Sequence, residues 1–299
     1  MEQRNTIQLR PHRKESDSPT GFFLFHGSVI RGAFVLIVSL CIGYSAWPNA
    51  DKNRKNAAKS LAQEIEQAQF HKVYVLDFLE PSGSRTEKGC LFASTFSTNL
   101  ARDAHNFEVV NRIQAQKQLN ELHISPQDIQ RPEMLSKAAQ ALGADAVLVG
   151  TATISPTEAK LLLSLREAAS GKEVHSMDYH EKLEAAFETG FPAFEDASSH
   201  IYYFPGLDGI SQPKCIYCPN PDYTDEARAK KIQGNVLLSV SVDEKGTITN
   251  ARVVTNPNDG LTKKAVNILN NWRMEPSHDL DGKPVPVRVS IEITFRLFN

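Results

Sequence analysis

The chain has 299 residues, 41% apolar and 23% charged, fractions ordinary for folded protein and unlike those of disordered chains. At roughly 150 residues per domain the length predicts about two domains. With 33 basic against 35 acidic residues the net charge is -2, which gives no Lys/Arg surplus for nucleic-acid phosphates, and four cysteines are too few for a disulfide scaffold.

Residues 1–27 form an amino-terminal arm read as cytoplasmic. The apolar segment that follows is read as a transmembrane signal anchor over 28–47. Its uncharged core, Gly32 to Trp47, would span about 24 Å as a helix. Beginning at Ser28 leaves Arg31 in the first turn, from which its side chain reaches the headgroups of a bilayer core about 30 Å thick. Tyr44 and Trp47 suit the far interface, and Pro48 stops the helix. The competing reading is a cleaved signal peptide, whose candidate site at Pro48-Asn49-Ala50 puts a proline at the -3 position. Either reading exports the rest of the chain. The anchor reading predicts a single-pass inner-membrane protein with its bulk in the periplasm.

Residues 48–70 are rich in Ala, Gln and Glu and read as a polar helical spacer. Lys52, Arg54, Lys55 and Lys59 within it would meet either anionic lipid or solvent. An α/β module is predicted over 71–180. Lys72 to Leu79 is apolar on both faces, as an interior strand is, and Lys88 to Asp103 is an amphipathic helix with Phe92, Phe96 and Leu100 on one face. Phe107 to Asn111 is a second strand and Ile113 to Leu122 a second helix. A third helix starts near Pro132 and closes at Leu142-Gly143. Ala146 to Ile154, the alternating run Glu158 to Arg166 and Glu173 to Tyr179 complete a β-α-β-α-α-β-β-β order. VLDF, FEVVNR, LGADAVLVGTAT and the SGKEV turn together resemble the periplasmic CsgG/FlgO/TolB-amino-terminal group. That likeness implies an envelope assembly or accessory role.

Residues 181–213 collect Pro, Gly and aromatics and read as a connector. Over 214–299 the pattern is a capped short helix from Thr224, a strand with Val236, Leu238, Val240 and Val242 inward, and an Asp243–Gly246 turn. A return strand, the amphipathic helix Leu261–Trp272 and a terminal strand Val285–Leu297 follow. Trp272 lies at helical spacing and is assigned to the core. Tyr223, Glu226-Ala227, Gln233-Gly234, VDEKG, Trp272-Arg273-Met274-Glu275-Pro276, Gly282-Lys283-Pro284-Val285 and ITFRL resemble the TonB carboxy-terminal domain. The resemblance implies a β-β-α-β unit, so the predicted fold class is α+β. It also implies outer-membrane TonB-dependent transporters as partners and an ExbB/ExbD-like motor as a driver. Two features depart from that family: no Pro-rich spacer follows Pro48, and the anchor segment has no interior His in a Ser-xxx-His pattern.

Nothing follows Asn299 to cover the terminal strand, so its outer edge is the predicted partner site for strand addition. Arg288, Ser290, Glu292, Thr294 and Arg296 would tune the partner, while Val287, Val289, Ile291 and Ile293 hold the sheet to the helix. Self-pairing of that edge in a homodimer is the alternative. Cys215 and Cys218 are read as a disulfide: a zinc site lacks two further ligands, and flanking Pro213 and Pro219 do not suit a helix-opening redox motif. Cys41 and Cys90 are left as thiols. Asp77 follows a buried strand, where a functional carboxylate is one reading and a strand-end Asp bonding to nearby backbone is the expected one. The sequence carries no catalytic motif, metal-ligand spacing or cofactor loop, so no enzyme, metal or cofactor is expected. The leading function is a TonB-like adaptor supporting energy-coupled transport; the rival is a static periplasmic scaffold uncoupled from the proton gradient.

Overall fold

A computed structural model describes residues 38–39, 48–183, 201, 203–255 and 260–297. The predicted membrane span therefore lies outside the described residues except for Val38 and Ser39, as does Cys41. Among the described residues no helix is long and apolar enough to cross a membrane.

Helix α1, Pro48–Gln67, carries Ala58, Leu61, Ala62 and Ile65 at a spacing that makes one stripe, and all four are buried. The stretch read as a spacer is thus part of the first module's core, packed on helix α2, Glu87–Asp103. Arg54 departs furthest from the solvent-or-lipid reading. It is buried, its guanidinium forks onto Glu181 with Nε donating at 2.7 Å, and it lies over the Phe92 ring at 4.9 Å. Tyr179 donates to the same Glu181 carboxylate at 2.7 Å.

Strand β1 is Val38–Ser39. The first module then runs β2 (Lys72–Val75), α2, β3 (Glu108–Val109), α3 (Arg112–Glu121), α4 (Pro132–Leu142), β4 (Ala146–Ile154), β5 (Glu158–Glu167) and β6 (Glu173–Lys182). The sheet order is β3-β2-β4-β5-β6, with β2 parallel to both neighbours and β4 to β6 an antiparallel meander. Alternation in β2 explains the layers. Val73 and Val75 join the core under α1 and α2, whereas Tyr74 and Leu76 join the core under α3 and α4. The α1/α2 layer extends over β5 and β6, while Leu162 on the opposite face is 53% exposed. The helix ends follow the sequence signals. Thr86 Oγ1 accepts from Gly89 N at 3.2 Å, Pro132 opens α4, and Gly143 closes it at a positive φ of 64°. Gly89 is obligatory, since a Cβ there would stand 2.1 Å from the Phe78 carbonyl oxygen.

The carboxy-terminal domain contains β7 (Lys214–Tyr217), α5 (Asp225–Ala229), β8 (Gly234–Val242), β9 (Ile248–Thr255), α6 (Leu261–Ile268), β10 (Arg273–Glu275), β11 (Ser277–His278), β12 (Pro284–Val285) and β13 (Val287–Phe295). Its main sheet is antiparallel in the order β1-β13-β8-β9. Val236, Leu238, Val240 and Val242 of β8 are buried with Val287, Val289, Ile291, Ile293 and Phe295 of β13, against Leu261, Ala265, Leu269 and Trp272. Trp272 is core, as its spacing predicts, with Nε1 donating to the Pro219 carbonyl at 3.0 Å. Helix α6 tightens into a 3₁₀ turn at Leu269–Asn271 before Trp272. The terminal strand is interrupted at Pro286, so Val285 pairs with Ser277 in a separate ribbon instead of extending β13. At the hairpin turn a Cβ on Gly246 would meet the Met274 carbonyl oxygen at 1.7 Å, and Met274 N donates back to Gly246 O at 3.0 Å.

The two modules touch. Ile113 of α3 and Ile210 of the connector share the carboxy-terminal core. Lys117 Nζ donates to Asp279 Oδ2 at 2.7 Å, and Arg288 Nε stands 3.3 Å from Glu87 Oε1.

Candidate partner-binding site

On one side β13 is bonded along its whole length to β8, from Val287↔Val242 to Phe295↔Gly234. On the other side it carries β1, in the register Val38↔Ile293 and Ser39↔Glu292. The edge that ends the sequence is therefore covered at two positions by chain from near its beginning, and β13 is not the sheet border there.

The row of polar side chains on β13 is less open than a solvated face. Arg288 turns toward Glu87 in the first turn of α2 and is half-buried. Burial raises Glu87 to about 7 although Arg288 pulls it down. Glu292 accepts from the Asn235 amide across the β8 pairing, and Thr294 is only 8% exposed. Ser290 and Glu292 are half-buried, and Arg296, just past the end of β13, is exposed. The apolar row Val287, Val289, Ile291 and Ile293 is wholly buried, the arrangement that ties this strand to α6.

Cys215 and Cys218 are joined by a disulfide with Cα atoms 6.0 Å apart. The bridge closes a short loop on β7, which pairs with β10 through Met274↔Cys215. Between the two sulfurs Ile216 and Tyr217 are 71% and 60% exposed. Among the described residues no group of three or more His, Cys, Asp or Glu could hold a metal ion. Cys90 is a buried thiol, and burial pushes its pKa up.

One buried charged cluster escaped the sequence reading. Asp77 bonds side chains, not nearby backbone. Arg85 Nε donates to its Oδ2 at 2.6 Å, Arg112 Nη2 donates to Oδ1, and Gln116 Nε2 lies 3.1 Å from Oδ1. Burial pushes the Asp77 carboxyl up, but Arg112 and Arg85 outweigh it and hold it below the ordinary carboxylate value. Arg112 also donates to Val75 O at 2.6 Å and stands 3.5 Å from Asp208 Oδ2 in the connector. Asp208 is displaced the other way, raised mainly by its burial. Two acids and two guanidiniums thus neutralise one another and pin the connector to the first module. The usable signal was an Arg directly after the Asn111 cap, at the start of a helix facing a strand-end Asp.

Comparison with known proteins bears on the sheet that holds β13. Residues 219–297 match the profile of the Gram-negative bacterial TonB protein C-terminal family. This carboxy-terminal domain is of the TonB type. The chain is similar to "Protein TonB" of Yersinia enterocolitica, 28% identical over 72 residues, which is 24% of this chain and 28% of that protein. It is similar also to "Protein TonB" of Vibrio cholerae serotype O1 (strain ATCC 39315 / El Tor Inaba N16961), 31% identical over 78 residues, 26% of this chain and 32% of that one. The chain therefore spans about a third or less of the curated relatives it matches, and residues 71–180 lie outside the family match. Among solved structures, the LpoB C-terminal domain from Salmonella enterica aligns with a TM-score of 0.35 at 20% identity, over 44% of this chain and 99% of that one. The Pseudomonas aeruginosa TonB CTD aligns with a TM-score of 0.26 at 22% identity, over 29% and 88%. At such scores neither superposition bears on fold or function.

Proposed function

We propose that this protein is a TonB-like, inner-membrane-anchored periplasmic adaptor whose TonB-type domain captures outer-membrane transporters by strand addition to β13. The observation that carries the reading is the family match over 219–297, in which β13 is bonded along its whole length to β8 and, among the described residues, is covered on its other edge at Glu292 and Ile293. Main-chain bonds along that edge would supply affinity, and Ser290, Glu292 and Arg296 would supply selection. An ExbB/ExbD-like motor would act through the amino-terminal segment. No cofactor, metal or catalytic step enters the reading.

The second reading is a static envelope scaffold or assembly accessory, with module 71–180 resembling the CsgG/FlgO/TolB-amino-terminal group. One observation favours it: the modules are held together by Lys117–Asp279, Arg288–Glu87 and the shared Ile113 contact, where a force-transmitting protein would use a long loose spacer. A photo-crosslinking amino acid at Ser290, Glu292 or Arg296 of the full chain separates the two. The adaptor gives crosslinks to outer-membrane barrels that disappear when the motor proteins are deleted. A scaffold gives crosslinks to periplasmic proteins that ignore the motor, and no barrel product from any of the three positions removes the adaptor reading.

A further inference from the structure

The edge of β13 that the adaptor reading assigns to partners already has an occupant in the same chain. We infer that Val38–Ser39 is an autoinhibitory strand, seated on β13 at Glu292 and Ile293, that an incoming partner strand must displace. This rests on the proposed use of β13 as the partner edge.

Three observations carry it. The pairing is antiparallel and in register, Val38↔Ile293 and Ser39↔Glu292, so the segment engages β13 in the manner of an added strand. Val38 is β-branched and apolar, a residue type suited to a pleated surface. The occupant is also tethered close by. Residues 40–47 join Ser39 to α1, which is fixed on the first module by the buried Arg54–Glu181 fork and by Ala58, Leu61, Ala62 and Ile65. Fully extended, such a link reaches at most about 30 Å, so β1 meets the edge at an effective concentration on the order of millimolar. A free partner strand begins at a large disadvantage. Useful strands run to about five or six residues, and one aligned with Ser290 to Thr294 overlaps both covered positions. Among the described residues no other strand lies on this edge.

The linkage and exchange measurements use the full chain in buffer free of lipid and detergent with Cys41→Ser, which leaves Cys90 buried and Cys215–Cys218 closed. Two double variants are compared, Ser39→Cys with Glu292→Cys and Val38→Cys with Ile293→Cys, because adjacent antiparallel pairs alternate between wide and close spacing and one of them suits a disulfide. Mild oxidation is expected to link at least one pair within a single chain, found by non-reducing peptide mapping. In the linked form, crosslinks to barrels from a photoreactive residue at Ser290 should fall at least tenfold. In Val38→Pro/Ser39→Pro the same yield should rise, and amide exchange should quicken at least tenfold at whichever of the adjacent Glu292 and Ile293 amides faces β1, while the other, bonded to β8, and Leu238 and Val240 in β8 keep their protection. If neither pair links and exchange is unchanged in the proline variant, β1 is not the resident strand and the inference is overturned, whatever the partner. If the link forms but crosslinking keeps its wild-type yield, the inhibitory role is overturned and the adaptor reading stands. If no variant crosslinks to a barrel, the adaptor reading fails and inhibition has nothing to act on, while the linkage result still reports whether the edge is self-covered.

Discussion

Replacing Arg112 by methionine removes the cation shared by Asp77 and Asp208. Arg112 donates to Asp77 Oδ1 and to Val75 O at 2.6 Å, and its Nε lies 3.5 Å from Asp208. Methionine fills much of the volume, so the loss is one of charge and hydrogen bonds more than of packing. Asp77 keeps Arg85, whereas Asp208 keeps only hydroxyl donors, Ser94 and Ser97, beside its buried carboxyl. Breaking a buried ion pair from one side costs about 3–5 kcal/mol, a large part of the about 5–15 kcal/mol that keeps a typical protein folded. We expect Arg112→Met to lose about 4 kcal/mol in urea unfolding at pH 7. Adding Asp208→Asn should recover part of that, since it removes the acid left without a cation. The sign of this rescue is the decisive point: if the double variant is less stable than Arg112→Met alone, or if Arg112→Met costs under about 1 kcal/mol, the charge-balance account is wrong.

Other outcomes follow from the same structure. Glu87 binds its proton more tightly folded than unfolded, with a folded value of about 7 against an ordinary 4.5, so its contribution is full below about pH 4.5 and is lost as pH rises through 7. Glu87→Gln should therefore gain up to about 3 kcal/mol over the wild type between pH 4.5 and 8, read by urea unfolding at both pH values; identical pH profiles would falsify the assignment. Thiol labelling of the denatured, unreduced protein should modify Cys41 and Cys90 and spare Cys215 and Cys218. Cys215→Ser with Cys218→Ser should cost about 2 kcal/mol, the chain-entropy value for so short a loop, and a loss above about 4 kcal/mol would mean that the bridge holds more than β7.

The elements were legible wherever one periodicity dominated. Alternation over Val236–Val242 and Val287–Phe295, and the Phe92, Phe96, Leu100 stripe, reported burial directly because each strand or helix has one dry face. Alternation runs straight through Pro286, since Val285 keeps the same parity as Val287 and a period of two does not register a broken ladder. Composition misled at α1. Its polar majority read as a solvated spacer, while four small or apolar residues at helical spacing decide where it packs. The charged cluster and the Arg54–Glu181 fork were illegible for a plain reason. Apart from Arg85, eight residues from Asp77, the partners lie 35 to 127 residues apart, as in Asp77 with Arg112, Arg112 with Asp208 or Arg54 with Glu181, and no local pattern encodes that pairing. The candidate edge was legible as a strand but not as an occupied one, because its cover comes from the other end of the chain.

That cover creates a competition that can be measured. The stretch supplying β1 is part of the segment 28–47 that reads as a membrane span, and one stretch of chain cannot sit in both places. Within hydrocarbon its backbone groups must be satisfied by a helix of its own, whereas on β13 they are satisfied by the sheet. By linkage, whatever favours the bilayer opens the edge, and whatever holds the edge opposes insertion. The Ser39→Cys/Glu292→Cys chain, in the Cys41→Ser background, reads this directly. Its linkage yield should drop at least tenfold when the protein is reconstituted into phospholipid nanodiscs, compared with lipid-free buffer. Chains linked before reconstitution should fail to float with liposomes, and reduction of the new bond should restore flotation. Equal linkage in nanodiscs and buffer, from protein that floats with the lipid, would show that β1 and the membrane do not compete, and that the segment's attachment to β13 survives anchoring by the residues around it.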